Sequence, residues 1–271
     1  MQVIAMLNVS SRKCIRRLSG RSIKYNRTRN IIAVLAVILT AVMFTTLFTI
    51  GASITDAFQL STMRQVGTSA HAGFKFLTQE QYDILKADPK IKNISYNIFI
   101  GSGENPEFAK KSVEIRYTEE KNADWGFTLP TTGTLPQNRL DVATSTEVLD
   151  MLGLPHELGV QVPLEFTAAG GIKHSETFTL CGFWEQDAVS PVCEAFLSRE
   201  YSDEVAPVWQ DAAPDVEGNW WMSGSINPNI WFASSWDIEG QVEALKARCG
   251  FGEDVNEGVN WAYASSAVDL T

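Results

Sequence analysis

An unbroken apolar run of 24 residues, Ile31–Ile54, most constrains how this chain can fold. The run contains no charged residue and no proline. As an α-helix it would extend about 36 Å, against a hydrocarbon core of about 30 Å. Its four threonines are compatible with a membrane, because a Thr hydroxyl in a helix can donate to the carbonyl one turn earlier. The run therefore predicts a transmembrane helix over residues 31–54.

A secretory signal peptide is the alternative interpretation of this run. The small residues Gly51, Ala52 and Ser53 could form its cleavage site. However, the apolar region of a signal peptide normally has only about 7–15 residues. The basic leader of 30 residues before the run is also long for a signal peptide. The lengths therefore favour a membrane anchor that stays in the mature chain.

Basic and acidic residues are divided unequally about the apolar run. Residues 1–55 hold eight Lys or Arg and no acid, whereas residues 56–271 hold 14 Lys or Arg against 32 Asp or Glu. By the positive-inside rule, we expect a cell-membrane protein with a cytoplasmic N-terminus and an extracytoplasmic main domain. The net charge of -10, with no basic stripe outside the leader, argues against a nucleic-acid partner.

The leader, residues 1–30, has apolar or small side chains at helical spacing: Ile4, Leu7, Ser11, Ile15, Leu18 and Ser22. One interpretation is an amphipathic helix along the inner leaflet, with its Lys and Arg side chains against anionic headgroups of the lipid bilayer. The other is that the basic residues only set the topology. The pattern supports the two equally.

Residues 55–67 are predicted to continue the membrane helix as a stalk. No helix breaker occurs before Gly67, and Ala57, Leu60 and Met63 keep a helical spacing. A single helix from residue 31 to 66 would be about 54 Å long, leaving about 24 Å outside the bilayer. Asp56, Leu60 and Met63 are therefore candidate coupling residues, if the stalk transmits movement. A passive spacer is the alternative.

Residues 68–271 are predicted to form one mixed domain, which gives an α+β fold class. Thr78 and Gln81 form a capping-box pattern that begins a helix over 79–87. Gly170-Gly171 separates two strand-like segments, Val160–Ala168 and Ile172–Trp184, as in a hairpin. Further strands are predicted over 93–100, 112–118 and 230–233. Further helices are predicted over 145–152 and 237–248. If the domain has two lobes, we expect the divide between them near 101–111.

Patterns that carry chemistry are missing or incomplete. The dipeptide Gly-Lys never occurs, which excludes a Walker A loop. His156-Glu157 lacks the second histidine of a zinc helix, and the segment from Asp254 to Gly258 lacks ligands of a calcium loop. Cys181 and Cys193 could form a disulfide, but an odd number of outer cysteines favours unpaired thiols. We therefore predict no enzyme activity and no catalytic, cofactor or metal site.

Three segments resemble the FtsX/MacB-type permeases of ABC transporters. Residues 21–30 read R-S-I-K-Y-N-R-T-R-N and run directly into the apolar segment, like the basic leader of that family. Ala143–Asp187 and Ser234–Gly250 resemble the extracytoplasmic domain of the large permeases of Gram-positive bacteria. The resemblance covers nearly the whole chain.

The resemblance implies a permease without cofactors of its own, in which a separate ABC ATPase uses ATP and drives movement of a MacB-like outer domain. The substrate would be a lipid or a peptide, exported or released without a pore. The implied partners are the ATPase and a second permease copy or the remaining permease half. The chain ends without a second apolar span, so we expect a truncated permease. The residues implied to set topology and to contact headgroups or the ATPase are Arg16, Arg17, Arg21, Lys24, Arg27 and Arg29. A single-pass anchored sensor or ligand-binding domain is the alternative.

Overall fold

The fold is described from a computed structural model, which covers residues 12–190, 192–210, 222–252 and 255–263. The chain divides into two compact units, Met1–Ala57 and Phe58–Thr271. The predicted apolar positions Ile4, Leu7 and Ser11 of the leader lie outside the described residues.

The described part of the first unit consists of two helices joined at Asn26. Helix α1 comprises Arg12–Tyr25, and helix α2 comprises Arg27–Val66 and continues into the second unit. Hydroxyls in the apolar run donate to the carbonyl four residues earlier, for example Thr40 to Ala36 and Thr46 to Val42, each at 2.8 Å. These bonds confirm how the threonines are accommodated. By length and composition, α2 can cross a membrane.

The second unit combines a large mixed sheet with short helices, so the predicted α+β class is confirmed. Its helices after α2 are α3 (Gln79–Lys86), α4 (Glu120–Trp125), α5 (Thr146–Met151), α6 (Arg199–Val205) and α7 (Ile238–Cys249). Its described strands are β1 (Ala72–Lys75), β2 (Ile91–Ser102), β3 (Val113–Thr118), β4 (Thr132–Gly133), β5 (Asp141–Ser145), β6 (Gln161–Thr167), β7 (Lys173–Trp184), β8 (Cys193–Leu197), β9 (Ile226–Phe232) and β10 (Asn256–Val259).

The strands lie in the order β10-β1-β9-β2-β3-β8-β5-β7-β4, and β6 pairs with β7. The pairs β3–β8 and β5–β7 are parallel, and the other described pairs are antiparallel. β6 and β7 form the predicted hairpin, with Gly170 and Gly171 both at positive φ. Glycine tolerates this conformation because it has no Cβ.

Three hydrophobic clusters stabilise the sheet, and two of them are large. In one, α3 and α7 pack on β1 and β9 through residues such as Phe74, Leu85 and Ile230. In the other, α5 and α6 pack on β5 to β8, and this cluster includes Phe108. The segment 101–111, where the divide was predicted, contributes Phe108 to the second cluster. The change from one cluster to the other therefore lies earlier in the chain than predicted, within β2.

The helix-end signals predicted from the sequence for α3 and α7 are confirmed. Thr78 accepts a hydrogen bond from the backbone N–H of Gln81, whose side chain accepts one from the N–H of Thr78, and both distances are near 3 Å. Gly250 ends α7 in the left-handed conformation, with φ 69°.

The strand predicted over 230–233 instead begins at Ile226. The first half of this strand was not predicted, because it contains Asn227, Pro228 and Asn229, which are residue types not typical of strands.

Candidate functional site

The end of α2 is built into the second compact unit, which also contains the whole sheet. Within this unit, the Gln59 side chain donates to the carbonyl of Ala262 at 3.1 Å. The helix ends where the sequence predicted, because the N–H groups of Gly67 and Thr68 both donate to the carbonyl of Met63. Gly67 has φ 82°, a conformation that favours glycine at a helix end.

One basic side chain in the last turn of α2 ties the helix to the sheet domain. Arg64 forms a hydrogen-bonded salt bridge with Asp187, in the loop after β7. The same guanidinium lies 4.9 Å from the centre of the Phe127 ring. The hydrogen bond from Arg64 lowers the pKa of Asp187, against the opposing effect of burial. We call Arg64, Asp187 and Phe127 the Arg64 clamp.

Phe127 holds an unusual backbone conformation within this clamp. Its φ is 59°, in the left-handed region that bulky residues rarely adopt. The turn after α4 fixes it, because the N–H of Phe127 donates to Asp124 and that of Thr128 donates to Ala123. A left-handed non-glycine residue costs on the order of 1–2 kcal/mol, and such strain clusters at functional positions. Here the strained residue is the one that carries the ring under Arg64.

The segments that enter and leave the sheet domain are bound to each other beside the clamp. The Asn260 amide donates to the carbonyls of Thr68 and Ala70, at 2.7 and 2.9 Å. The Tyr263 hydroxyl donates to the carbonyl of Ser69 at 3.0 Å. Ser69 in turn donates its N–H to the carbonyl of Trp125, at the end of α4. A movement of the helix end would therefore reach several elements of the domain at once.

His71 is buried in an aromatic cage at the same place. Its ring centre lies 4.5 Å from that of Trp231 and 4.6 Å from that of Tyr263. Its Nδ1 accepts a hydrogen bond from the N–H of Phe232 at 3.2 Å, which requires that nitrogen to be unprotonated. Burial, and secondarily the charge of Lys92, lowers the pKa of His71 to about 4. His71 is therefore neutral at pH 7.

We expect His71 to make the domain acid-sensitive. The imidazole is neutral in the folded chain down to a pKa of about 4, whereas an unfolded His titrates at 6.5. Its contribution is complete above pH 6.5 and is lost as the pH falls towards 4, by an amount on the order of 3 kcal/mol. Urea unfolding of wild type and His71→Gln from pH 7 to pH 4 measures this. A pH dependence equally steep in the variant would contradict it.

A cavity of about 530 Å³ lies on the sheet face beside the end of α2. The amides of Asn97, Asn227 and Asn229 line it, together with Arg116 and Glu114. Arg116 forms salt bridges with Glu114 on its own strand and, at 3.0 Å, with Glu194 on β8. Its Nε atom is buried and has no hydrogen-bond partner within the described chain. Burial raises the pKa of the Glu194 carboxyl, although Arg116 opposes this rise.

The basic residues that the resemblance singled out all lie on exposed helix positions. Arg16, Arg17, Arg21 and Lys24 are on α1, and Arg27 and Arg29 are in the first turn of α2. Nothing in the structure tests their roles in topology or in partner binding.

Two of the three predicted coupling residues lie in the second unit. Leu60 is exposed, whereas Met63 is half-buried and accepts the hydrogen bonds that end the helix. Asp56 is exposed and lies in the first unit. Gln59 and Arg64 make the side-chain contacts between the end of α2 and the sheet domain, and sequence reasoning did not predict them. One signal was available, because Arg64 is the only basic residue between the apolar run and Gly67.

Neither a disulfide nor a cluster of metal ligands is present within the described residues. Cys181, Cys193 and Cys249 are free thiols, as the odd number favoured. β5 lies between the strands of Cys181 and Cys193, which separates these strands by about 10 Å, too far for a disulfide. No group of three His, Cys, Asp or Glu side chains in the described parts of the chain could hold a metal ion.

No protein-family model and no curated protein sequence matches the chain. Among solved structures, the chain is similar to the extracellular domain of the noncanonic ABC-type transporter YknZ from Gram-positive bacteria. The identity is 11% and the TM-score 0.43, over 67% of this chain and 89% of that one. It is also similar to the periplasmic region of MacB from Actinobacillus actinomycetemcomitans, with 14% identity and a TM-score of 0.41, over 76% and 95% of the two chains.

A third similar structure is a domain from Porphyromonas gingivalis named as a permease. The identity is 13% and the TM-score 0.41, over 69% of this chain and 88% of that one. TM-scores below 0.5 carry no inference about function, which depends on the residues of this chain.

Proposed function

We propose that this chain belongs to an ABC permease and transmits movement between a membrane helix and an extracytoplasmic domain. A separate ABC ATPase would use the ATP, and the chain itself would be no enzyme. The outer domain would then export or release a lipid or peptide substrate. The remaining permease half or a second permease copy would complete the membrane part.

The Arg64 clamp is the observation that carries this proposal. A passive tether needs no specific contact between the helix end and the domain. Here the last turn of α2 binds two separate segments of the sheet domain, through Asp187 and Phe127. Because α2 is one unbroken helix from Arg27 to Val66, a displacement of the helix would act directly on these segments.

The exposed basic residues of α1 and of the start of α2 would hold the N-terminus in the cytoplasm. We expect that replacing all six with neutral residues gives mixed orientation or failed insertion, because Lys and Arg near the membrane set orientation while Asp and Glu contribute little. A reporter enzyme fused after Thr271 measures this, and should be extracytoplasmic in the wild type. Unchanged orientation in the variant would show that hydrophobic length alone fixes the topology.

Association with an ATPase tests the proposed partner. An ABC ATPase encoded beside this chain, co-expressed with the complete permease, should co-purify with it in detergent. Neutralising the six basic residues should weaken the association, if these side chains contact the ATPase. A complete permease that never associates with such an ATPase would contradict the transporter proposal.

A single-pass sensor or ligand-binding domain is the second candidate, and the polar cavity favours it. Five asparagines and a charged cluster line this cavity, as expected for recognition of a polar ligand. The two candidates differ in their need for ATP. A sensor would keep its output without an ATPase, whereas a permease would lose it.

A further inference from the structure

Two tryptophans of the sheet domain are unusually exposed. Trp236 is 80% exposed and Trp261 is 65% exposed, whereas Trp184 is only 2% exposed. Trp236 lies in the loop between β9 and α7, and Trp261 lies two residues after the end of β10. An indole ring carries a large apolar surface and one N–H donor, so full exposure to water leaves much of its surface unfavourably solvated.

Both tryptophans lie at the edge of the sheet where β1 begins and where β9 and β10 end, and His71 lies at this edge. The carbonyl of His71 accepts from the N–H of Asn260, next to Trp261. The Nδ1 of His71 accepts from Phe232, the last residue of β9 and four residues before Trp236. The ends of β9 and β10 therefore meet at the start of β1, where the chain comes from α2.

This edge is also close to the membrane segment along the chain. The carbonyl of Ala262, next to Trp261, accepts a hydrogen bond from Gln59. Gln59 follows the apolar run by five residues, which in a helix is about 7.5 Å. One interfacial layer of a bilayer is about 5–7.5 Å thick, so Gln59 lies within its outer part. Phe58, in the same turn as Gln59, is 67% exposed.

We infer that this edge of the domain lies in the lipid headgroup layer, with Trp236 and Trp261 as its contacts. Tryptophan prefers the membrane–water interface, where the ring meets apolar chain segments and the N–H meets polar groups. Nearby charges are of both signs, with Lys90 and Lys92 exposed as well as Asp237 and Glu239. The contact therefore depends on the indoles and should also form with lipid headgroups that carry no net charge.

Fluorescence quenching by a headgroup label tests the inference on the full chain. The chain is reconstituted into phosphatidylcholine vesicles in which part of the lipid carries a nitroxide on the headgroup. We expect the nitroxide to quench wild-type tryptophan fluorescence, and the double variant Trp236→Phe/Trp261→Phe to lose at least half of this quenching. Trp184→Phe is the matched control, because its indole is buried, and it should keep all of the quenching.

The inference fails if the nitroxide leaves wild-type fluorescence unchanged, or if the double variant is quenched as strongly as the wild type. A second protein copy covering the edge would give the first of these results. The inference requires membrane attachment through α2 but no ATPase. Its failure is therefore distinguishable from failure of the proposed transport function.

Discussion

The variant Leu60→Pro should break α2 without disturbing the core of the sheet domain. Proline removes a backbone hydrogen bond and clashes with the carbonyl of Asp56, at a cost of about 3 kcal/mol or more in a helix interior. Because the Leu60 side chain is exposed, the substitution removes little packing. Hydrogen exchange in the full-length chain in detergent should show lost protection over residues 58–66 and retained protection in β2 and β9.

Leu60→Ala is the matched control, because alanine shortens the same exposed side chain and favours the helix. Its exchange should match that of wild type. If Leu60→Pro kept full protection over residues 58–66, this segment would not depend on continuity with the preceding helix. The stalk interpretation would then be wrong.

The second large effect is expected at Arg116, between two partly buried carboxylates. Arg116→Leu leaves Glu114 and Glu194 without their cation. Removing one partner of a buried ion pair costs about 3–5 kcal/mol, and the partial exposure of this group places the expected loss near the lower end. Urea unfolding at pH 7 measures the loss.

The pH dependence of this variant separates charge from packing. In the folded wild type, the pKa of Glu194 is already above its ordinary value. Without Arg116, this pKa should rise further. A carboxyl with a raised folded pKa favours folding at low pH, where it is protonated, and opposes folding as the pH rises. The stability deficit of Arg116→Leu relative to wild type should therefore shrink as the pH falls from 7 to about 5. A constant deficit would indicate lost packing instead.

The Arg64 clamp has a close counterpart in the same domain, which provides a control. Arg139 pairs with Glu204 and lies 5.1 Å from the centre of the Tyr201 ring, far along the chain from α2. An exposed ion pair contributes up to about 1 kcal/mol, and a cation–π contact about 0.5–1 kcal/mol. Arg64→Gln should therefore speed exchange of the amides around Thr68 by about 10-fold, and Arg139→Gln should leave them unchanged. High salt should reduce the difference.

Features fixed by neighbouring residues could be predicted from the sequence. The apolar run defines α2, Gly67 defines its end, and Gly170-Gly171 defines the hairpin. Each depends on a pattern within a few residues. The capping box of α3 belongs to the same group.

Features that depend on distant residues could not be predicted. β5 has the sequence D-V-A-T-S, without strand-like alternation, because it is buried between β7 and β8. Its buried Thr144 donates its hydroxyl to the backbone carbonyl of Glu194. The partner of Arg64 lies 123 residues away, and no local pattern marks Asp187 as that partner. The family resemblance covered Asp187 but gave it no role.

The Arg64 clamp is proposed to transmit movement from the helix to the domain. Paired assays of ATP hydrolysis and substrate release test this role most directly. They require this chain within a complete permease, together with its ATPase, in vesicles. Arg64→Gln should keep ATP hydrolysis and lose most substrate release, whereas Arg139→Gln should keep both. Substrate release by Arg64→Gln at the wild-type rate would contradict the account.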